Sequence, residues 1–286
     1  TLDLTGLPIK DAETDTGHVQ TLPGSYALTG TENGVGLFDL SQIVGKDNIG
    51  SITEVKGAAY DKKTGIARYS AAVEKPSYTY ATGSSAVSLT VSFSLDMSTL
   101  PKSPFTDVVA GSWYFDAALY ASSHNLMLGT SPTEFSPNIT MTRGMLVTVL
   151  YRMNGSPSVS GKTPFTDVRT DEWYSAAVLW AYQNGIVTGM SDTTFAPINN
   201  VTREQMATIL FRYTKTAAPD KAKASADLSG FADAGSVNDW AVDAMRWAVG
   251  QKLIAGITLE QSVYLQPRGN ATRAQAATVL TRYYAQ

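Results

Sequence analysis

The chain of 286 residues has no cysteine and only two histidines, His18 and His124. The first absence excludes disulfides, thiol catalysis and thiolate metal sites. The second means that a zinc site or a Ser-His-Asp triad would have to use one of those two imidazoles. Charge is also scarce. Charged residues are 16% of the chain and the net charge is −3, so non-specific affinity for nucleic acid or anionic membrane is not expected. No run approaches 18 apolar residues, so the sequence predicts no bilayer-spanning helix and no membrane insertion. There is no signal peptide, and the chain begins at Thr1 rather than Met. It reads as a mature form or an excised fragment from which a leader could have been removed. Lack of cysteine suits an exported bacterial protein, although a cytosolic one could share it. The length and the 43% hydrophobic content allow two or three domains with a sizeable core.

What is present divides into two halves. Residues 1–101 are rich in Thr, Ser, Gly, Val and Tyr. Apolar and polar residues alternate in GIARYSAAV (65–73) and AVSLTVSFSLDM (86–97). Turn signals separate the runs at Glu32-Asn33-Gly34, at Asp61 to Gly65 and at Gly83-Ser84-Ser85. This predicts an antiparallel β-sandwich, immunoglobulin-like in size and punctuation. No Cys-Trp-Cys signature accompanies it. DLSQIVG (39–45) predicts a short helical turn.

After STLPKSPFTDV (98–108), whose two prolines mark a boundary, the pattern becomes helical and repetitive. Phe105-Thr106-Asp107-Val108 recurs as Phe165-Thr166-Asp167-Val168 and Phe231-Ala232-Asp233. Trp113-Tyr114 recurs as Trp173-Tyr174 and Trp240-Ala241, and Gly129 as Gly189 and Gly256. Phe135-Ser136-Pro137 recurs as Phe195-Ala196-Pro197 and Leu265-Gln266-Pro267. Such a period means a repeated supersecondary unit, with repeats at about 104–163, 164–224 and 225–286 inside a second domain, 102–286. Each unit predicts two helices. The first follows the Trp and ends at Asn184-Gly185 in copy two, where glycine takes the left-handed position. Asn125 stands there in copy one and tolerates it; Lys252 in copy three does not. The second helix opens at a repeated Thr-Arg. Leu146, Val149, Leu150 and Met153 follow the i, i+3, i+4, i+7 spacing of one apolar stripe. Met206, Ile209, Leu210 and Tyr213 do the same, as do Ala276, Val279, Leu280 and Tyr283. Three equivalent stripes most simply face one another in a central three-helix bundle.

The repeated Thr is a good N-cap, and Gln205 and Gln275 complete capping boxes that Met145 cannot. The Arg that follows stands at the positive end of the helix dipole, a placement that costs roughly 0.3–1 kcal/mol unless an anion is near. A repeated Asp is the intramolecular candidate. An anionic ligand is the other, because a helix N-terminus with a bidentate Arg suits carboxylate or phosphate.

The combined pattern FTDV, WY, NGIV, F-x-P and TR-x-(E/Q) is similar to the S-layer homology domain, usually written with a TRAE signature, in three copies. The resemblance implies an all-α pseudo-threefold trimer of repeats around a central helical bundle, with grooves between neighbours. It further implies non-covalent anchoring of an exported protein to a pyruvylated secondary cell-wall polysaccharide, at the bacterial cell wall or surface layer. Carried over, Arg143, Arg203 and Arg273 bind the anion. Trp113, Trp173 and Trp240 shape the grooves, and Gly129, Gly189 and Gly256 admit the sugar, with Asp107, Asp167 and Asp233 beside them. The signature Glu is Met145, Gln205 and Gln275 here, and the loop Asp-Gly is altered in every copy. Copy two keeps most of the pattern, which predicts that Arg203 contributes most to affinity.

The bland readings differ by residue. Tryptophans are ordinarily core residues, and the aspartates read as N-caps or arginine partners. Arg152, Arg212 and Arg282, ten residues into each helix, read as structural. Asn138, Asn200 and Asn270 head glycosylation-like triplets that are incidental in a bacterial chain. A glycosidase needs two carboxylates facing one cleft, and adjacent Asp171-Glu172 gives no such geometry. His124 reads as a solvated or satisfied side chain. The chain therefore predicts no enzyme, metal site or cofactor. The rivals are a surface-array or adhesion subunit whose β-domain binds neighbouring subunits or host ligands, and a fragment of a wall-anchored glycan hydrolase.

Overall fold

The computed structural model describes residues 18–81, 88–223 and 225–285. They divide into two compact units: the described residues up to 103 with 109–115, and 104–108 with those from 116 on.

The first unit holds two four-stranded sheets. One has the order β1 (His18–Ala27), β8 (Ser88–Asp96), β7 (Ser77–Ala81), β4 (Ile52–Lys56). The other has the order β2 (Gly30–Glu32), β3 (Val35–Asp39), β6 (Ile66–Tyr69), β5 (Ala58–Asp61). Asn33 and Gly34, at φ 50° and 77°, turn β2 into β3. That is the left-handed pair a two-residue hairpin demands. Helix α1 (Ser41–Val44) is the expected single turn. The Gly83-Ser84-Ser85 signal lies outside the described residues. Inward residues of both sheets build one core: Phe38, Leu40, Ile52, Tyr69, Tyr78, Val91 and Phe93 are all buried. Phe93 is its hub, with the rings of Tyr26, Phe38, Tyr69 and Tyr78 at 5.5–6.3 Å.

The second unit contains α2 (Phe115–Ser123, its first residue grouped with the first unit), α3 (Arg143–Met153), α4 (Ser175–Gln183), α5 (Arg203–Ala217), α6 (Val242–Gly250) and α7 (Arg273–Tyr284). It also contains strands β9 (Ile257–Leu259) and β10 (Ser262–Tyr264). No helix among the described residues is long and apolar enough to cross a membrane.

The expected architecture, an immunoglobulin-like antiparallel sandwich followed by an all-α pseudo-threefold trimer on a central three-helix bundle, is corrected on two counts. In the first unit β1 runs parallel to β8, so the pairing is not wholly antiparallel. The repeat region is mixed α/β. Between Gly256 and Leu265, where copy three is three residues longer, the chain forms the β9–β10 hairpin; the shorter turn of copy two has the single bridge Ser191/Thr194. Where the helix stripes predicted a bundle, backbone segments close a ring. Met141 N–H donates to Ala271 O, Val201 N–H to Met141 O, and Ala271 N–H to Val201 O, at 2.8–2.9 Å. Bridges Thr140/Thr272, Thr142/Asn200 and Thr202/Asn270 extend it. The N-caps make this possible: Thr142, Thr202 and Thr272 are extended, at φ −87° to −77° and ψ 161–163°, so their backbone can pair as a strand does.

The stripes of α5 and α7 meet at Tyr213 and Tyr283, whose rings lie 6.0 Å apart, but the second helices also pack on first helices. Helix α3 packs on α4, and α5 on α6. Thr281 of α7 donates to the Ala117 carbonyl of α2, and Tyr284 meets Tyr120 edge-on. Each second helix thus covers the first helix of the next copy. Two sequence details also stand differently. Lys252 adopts φ 58° in the left-handed position that ends the first helix, just as Asn125 (55°) and Gly185 (67°) do. Ser136, Ala196 and Gln266 take φ of 49–59° ahead of each second helix, although nothing in their side chains favours it.

Candidate functional site

Thr142, Thr202 and Thr272 cap α3, α5 and α7, and Gln205 and Gln275 complete the two capping boxes. The arginine after each cap is buried, at 5–6% exposure. It turns away from its own helix dipole into the next copy. Arg143 Nε–H donates to Phe195 O at 2.9 Å, Arg203 to Leu265 O at 2.7 Å, and Arg273 to Phe135 O at 2.9 Å. The guanidiniums of Arg143 and Arg273 lie over the rings of Phe195 and Phe135, at 4.6 and 4.8 Å. Arg273 adds a second bond, Nη2–H to Leu128 O at 2.7 Å.

The repeated aspartates hold the carbonyls those arginines use. Asp107 accepts the N–H groups of Phe135 and Ser136. Asp167 accepts those of Phe195 and Ala196, and Asp233 those of Leu265 and Gln266, all at 2.6–2.9 Å. The second partner in each pair is the left-handed residue. Neither sequence reading of these aspartates, as cap or as direct arginine partner, describes this; each is a two-pronged clasp on a strained loop. Among the described residues, no ion pair to the three arginines is formed.

The electrostatics follow from the burial. Desolvation pushes the Arg143 guanidinium down to about 10; the Asp167 charge opposes this and the Arg212 charge adds to it. Arg203 and Arg273 are lowered by the same burial, opposed by Asp233 and Asp107. All three stay cationic at neutral pH, in sites that disfavour the cation.

One cavity of about 330 Å³ gathers several of these groups. Arg143, Val187, Gly189, Gln205, Arg212 and Trp240 line it, with Thr188, Met190, Thr208 and Ile209. Copy one contributes the buried arginine, copy two the turn and helix face, and copy three the tryptophan. Arg203 and Arg273 are not among its walls. Arg212, which the sequence read as structural, is a wall residue and donates to Thr188 Oγ1 at 3.3 Å. Gln205, Thr208, Ile209 and Arg212 run at i, i+3, i+4 and i+7, a second face of α5 whose spacing was available in the sequence.

The three tryptophans are not core residues: Trp113, Trp173 and Trp240 are 54–58% exposed. The three glycines stand where a Cβ has no room. A Cβ on Gly189, at φ 80°, would meet the Ser191 and Thr194 carbonyls and the Phe165 ring within 2.9 Å. Gly256, also at φ 79°, and Gly129 are similarly enclosed, against Phe231 and Phe105. These glycines allow a tight turn to close under an aromatic ring. His124 lies just past α2, stacked on Tyr120 at 3.9 Å and bonded to its carbonyl. It is a satisfied side chain.

Comparison with known proteins completes the picture. The family model of the S-layer homology domain matches residues 104–144, 164–207 and 230–277. An endoglucanase of Bacillus sp. (strain KSM-635) is 34% identical over 178 residues, which are 62% of this chain and 18% of that protein. Exoglucanase XynX of Acetivibrio thermocellus is 28% identical over 181 residues, 63% of this chain and 16% of its own. The surface-layer 125 kDa protein of Lysinibacillus sphaericus is 32% identical over 154 residues, 54% of this chain and 12% of its own. The chain spans less than a fifth of the length of each. The hydrolases are matched over their S-layer homology region, which is not itself catalytic. Domains of this kind anchor proteins at the cell wall, and the chain is accordingly a cell-surface, wall-associated one. Its C-terminal part belongs to the S-layer homology family, as three tandem domains.

Proposed function

We propose that the three domains hold the chain on the wall by taking a carboxylate-bearing sugar, the pyruvyl ketal of a secondary cell-wall polysaccharide, into the cavity between Arg143, Arg212 and Trp240. One observation supports this above the others. A buried guanidinium whose cation is disfavoured by its surroundings lines a cavity of about 330 Å³ together with a second arginine. An anion entering there answers both charges through charge-assisted bonds. Gln205 and Thr208 supply neutral hydrogen-bonding groups for hydroxyls, and the exposed indole of Trp240 offers a flat apolar face. Asp167 serves by clasping the Phe195-Ala196 loop that fixes Arg143, and Gly189 by letting the wall turn close. Arg203 and Arg273, with Trp113, Trp173, Gly129, Gly256, Asp107 and Asp233, are the corresponding groups of the other copies. Arg273 is the less available of the two, because Leu128 O occupies its Nη2.

The test is co-sedimentation of the full chain with purified walls. Arg143→Ala removes a charge-assisted contact of about 1.5–3 kcal/mol, roughly ten- to a hundredfold in affinity. Walls stripped of their non-peptidoglycan polymer, or lacking ketal pyruvate, should retain little of the parent. Undiminished binding to walls without pyruvate would remove the carboxylate from the mechanism.

A further inference from the structure

The cavity's aromatic wall hangs on a carboxylate that only the second copy has. Glu204, at the second position of α5, is 2% exposed; its counterparts are Gly144 and Ala274. Its Oε2 accepts the backbone N–H of Asn238 at 3.0 Å, and its Oε1 accepts Nδ2–H of the same residue at 2.5 Å. Asn238 Oδ1 in turn accepts from Arg268 Nη2 at 3.3 Å. Asn238 is the N-cap of the 3-10 turn Asp239–Ala241, and its carbonyl accepts the Ala241 N–H at 2.8 Å. Trp240 is the middle residue of that turn. In the other copies Asn238 corresponds to Asp171 and Gly111, and Arg268 to Ile198 and Asn138. All three members of the network are therefore particular to this groove.

We infer that Glu204 is a positioning residue for ligand binding: through Asn238 it fixes the Trp240 turn over the cavity that Arg143 and Arg212 line. The inference rests on reading that cavity as the sugar site. The physical reason lies in the burial. An ionised carboxylate enclosed this far is stable only with both oxygens occupied, and both are occupied by the residue that caps the Trp240 turn. A half-exposed indole on a three-residue turn would otherwise be ordered by the ligand at a cost in affinity. Here the protein orders it beforehand. Glu204 touches no ligand, so its removal should weaken binding without removing the anion contact.

The experiment uses the full chain labelled with 5-fluorotryptophan, whose five resonances are separable and whose Trp240 signal is assigned with Trp240→Phe. Glu204→Ala suits the helix, because Ala274 and Gly144 stand at that position in the sister copies. It is expected to keep a cooperative melt, to shift or broaden the Trp240 resonance alone, and to weaken binding of a soluble pyruvylated fragment about tenfold. Glu204→Gln keeps one good acceptor and should fall between; it carries the same comparison if Glu204→Ala loses its cooperative melt. Arg143→Ala should lose binding with the Trp240 resonance in place. An unmoved Trp240 resonance in the Glu204 variants, or parental affinity despite a moved one, overturns the inference. If the parent itself fails to bind the fragment, the sugar reading of the cavity falls. The unliganded resonance then still decides whether Glu204 holds the turn.

Discussion

Asp167→Asn is the substitution that most directly probes how the groove is built. Asp167 Oδ1 accepts the Phe195 N–H at 2.9 Å and Oδ2 the Ala196 N–H at 2.6 Å. Ala196 sits at φ 59°, a conformation that costs an L-residue about 1–2 kcal/mol. The carboxylate offsets that cost. Asparagine can accept through one oxygen only, and its NH2 would face the remaining N–H donor to donor. One charge-assisted bond is lost, about 1.5–3 kcal/mol, together with the negative charge that favours the buried Arg143 cation. The expected loss is about 2–4 kcal/mol in unfolding free energy. Urea unfolding followed by tryptophan fluorescence reads it, since Trp173, Trp180, Trp240 and Trp247 all lie in the second unit. The midpoint should fall with the slope unchanged. Affinity for the wall should fall as well, because the Phe195 carbonyl that orients Arg143 is released. Asp171→Asn is the control: that carboxylate is exposed and pairs with exposed Arg169, so its midpoint should stay in place. An Asp167→Asn protein within about 0.5 kcal/mol of the parent, the scatter of ordinary surface substitutions, would refute the clasp.

Gly189→Ala should cost about 3 kcal/mol in the same urea assay, since a Cβ at φ 80° meets two carbonyls and the Phe165 ring within 2.9 Å. Tyr78→Phe and Tyr69→Phe should leave the first unit as stable as before or up to about 1 kcal/mol more stable in calorimetry. Both hydroxyls are buried without a partner among the described residues, so the change removes an unpaired polar group. Arg273→Ala should lower the unfolding free energy measured in urea by about 1 kcal/mol more than Arg143→Ala does, because Arg273 also bonds the Leu128 carbonyl.

Local chemistry was legible in the sequence wherever one residue and its near neighbours decide the outcome. The Thr caps, the two capping boxes and the left-handed Asn33-Gly34 turn are of that kind, and all stand where the residues place them. The stripes were legible as stripes, but periodicity says that a face is buried and not what covers it. Leu146, Val149 and Leu150 are buried on α3, a helix that packs on α4, a first helix the stripe does not announce. The all-α expectation failed at the same level: three extra residues lengthened a bridged turn into a hairpin, and extended caps became a β ring, because backbone hydrogen bonds across the chain leave no trace in composition. Asp107, Asp167 and Asp233 repeated visibly, yet their clasp depends on Ser136, Ala196 and Gln266 taking a conformation their side chains do not favour.

The assignment of residues to grooves shows most sharply what a repeat pattern hides. Reading each copy as a self-contained unit gives the second copy's groove to the second copy's arginine, Arg203. The backbone ring instead hands every arginine to its successor: Arg143 to the Phe195 loop, Arg203 to the Leu265 loop, Arg273 to the Phe135 loop. The cavity with copy two's turn and helix face therefore takes its cation from copy one and its indole from copy three. Retention of the motif within one copy is then a poor guide to that copy's groove, since this groove samples all three. Copy two's helix face, with Gln205 and Arg212, lines the cavity together with Arg143, while Arg273 spends its Nη2 on the Leu128 carbonyl. The turn that presents its tryptophan is the one a buried glutamate clasps. The arginines and the tryptophan belong to the repeat, whereas Glu204, Asn238 and Arg268 stand at positions where the three copies differ, so it is the clasp on the turn that distinguishes this groove from its sisters.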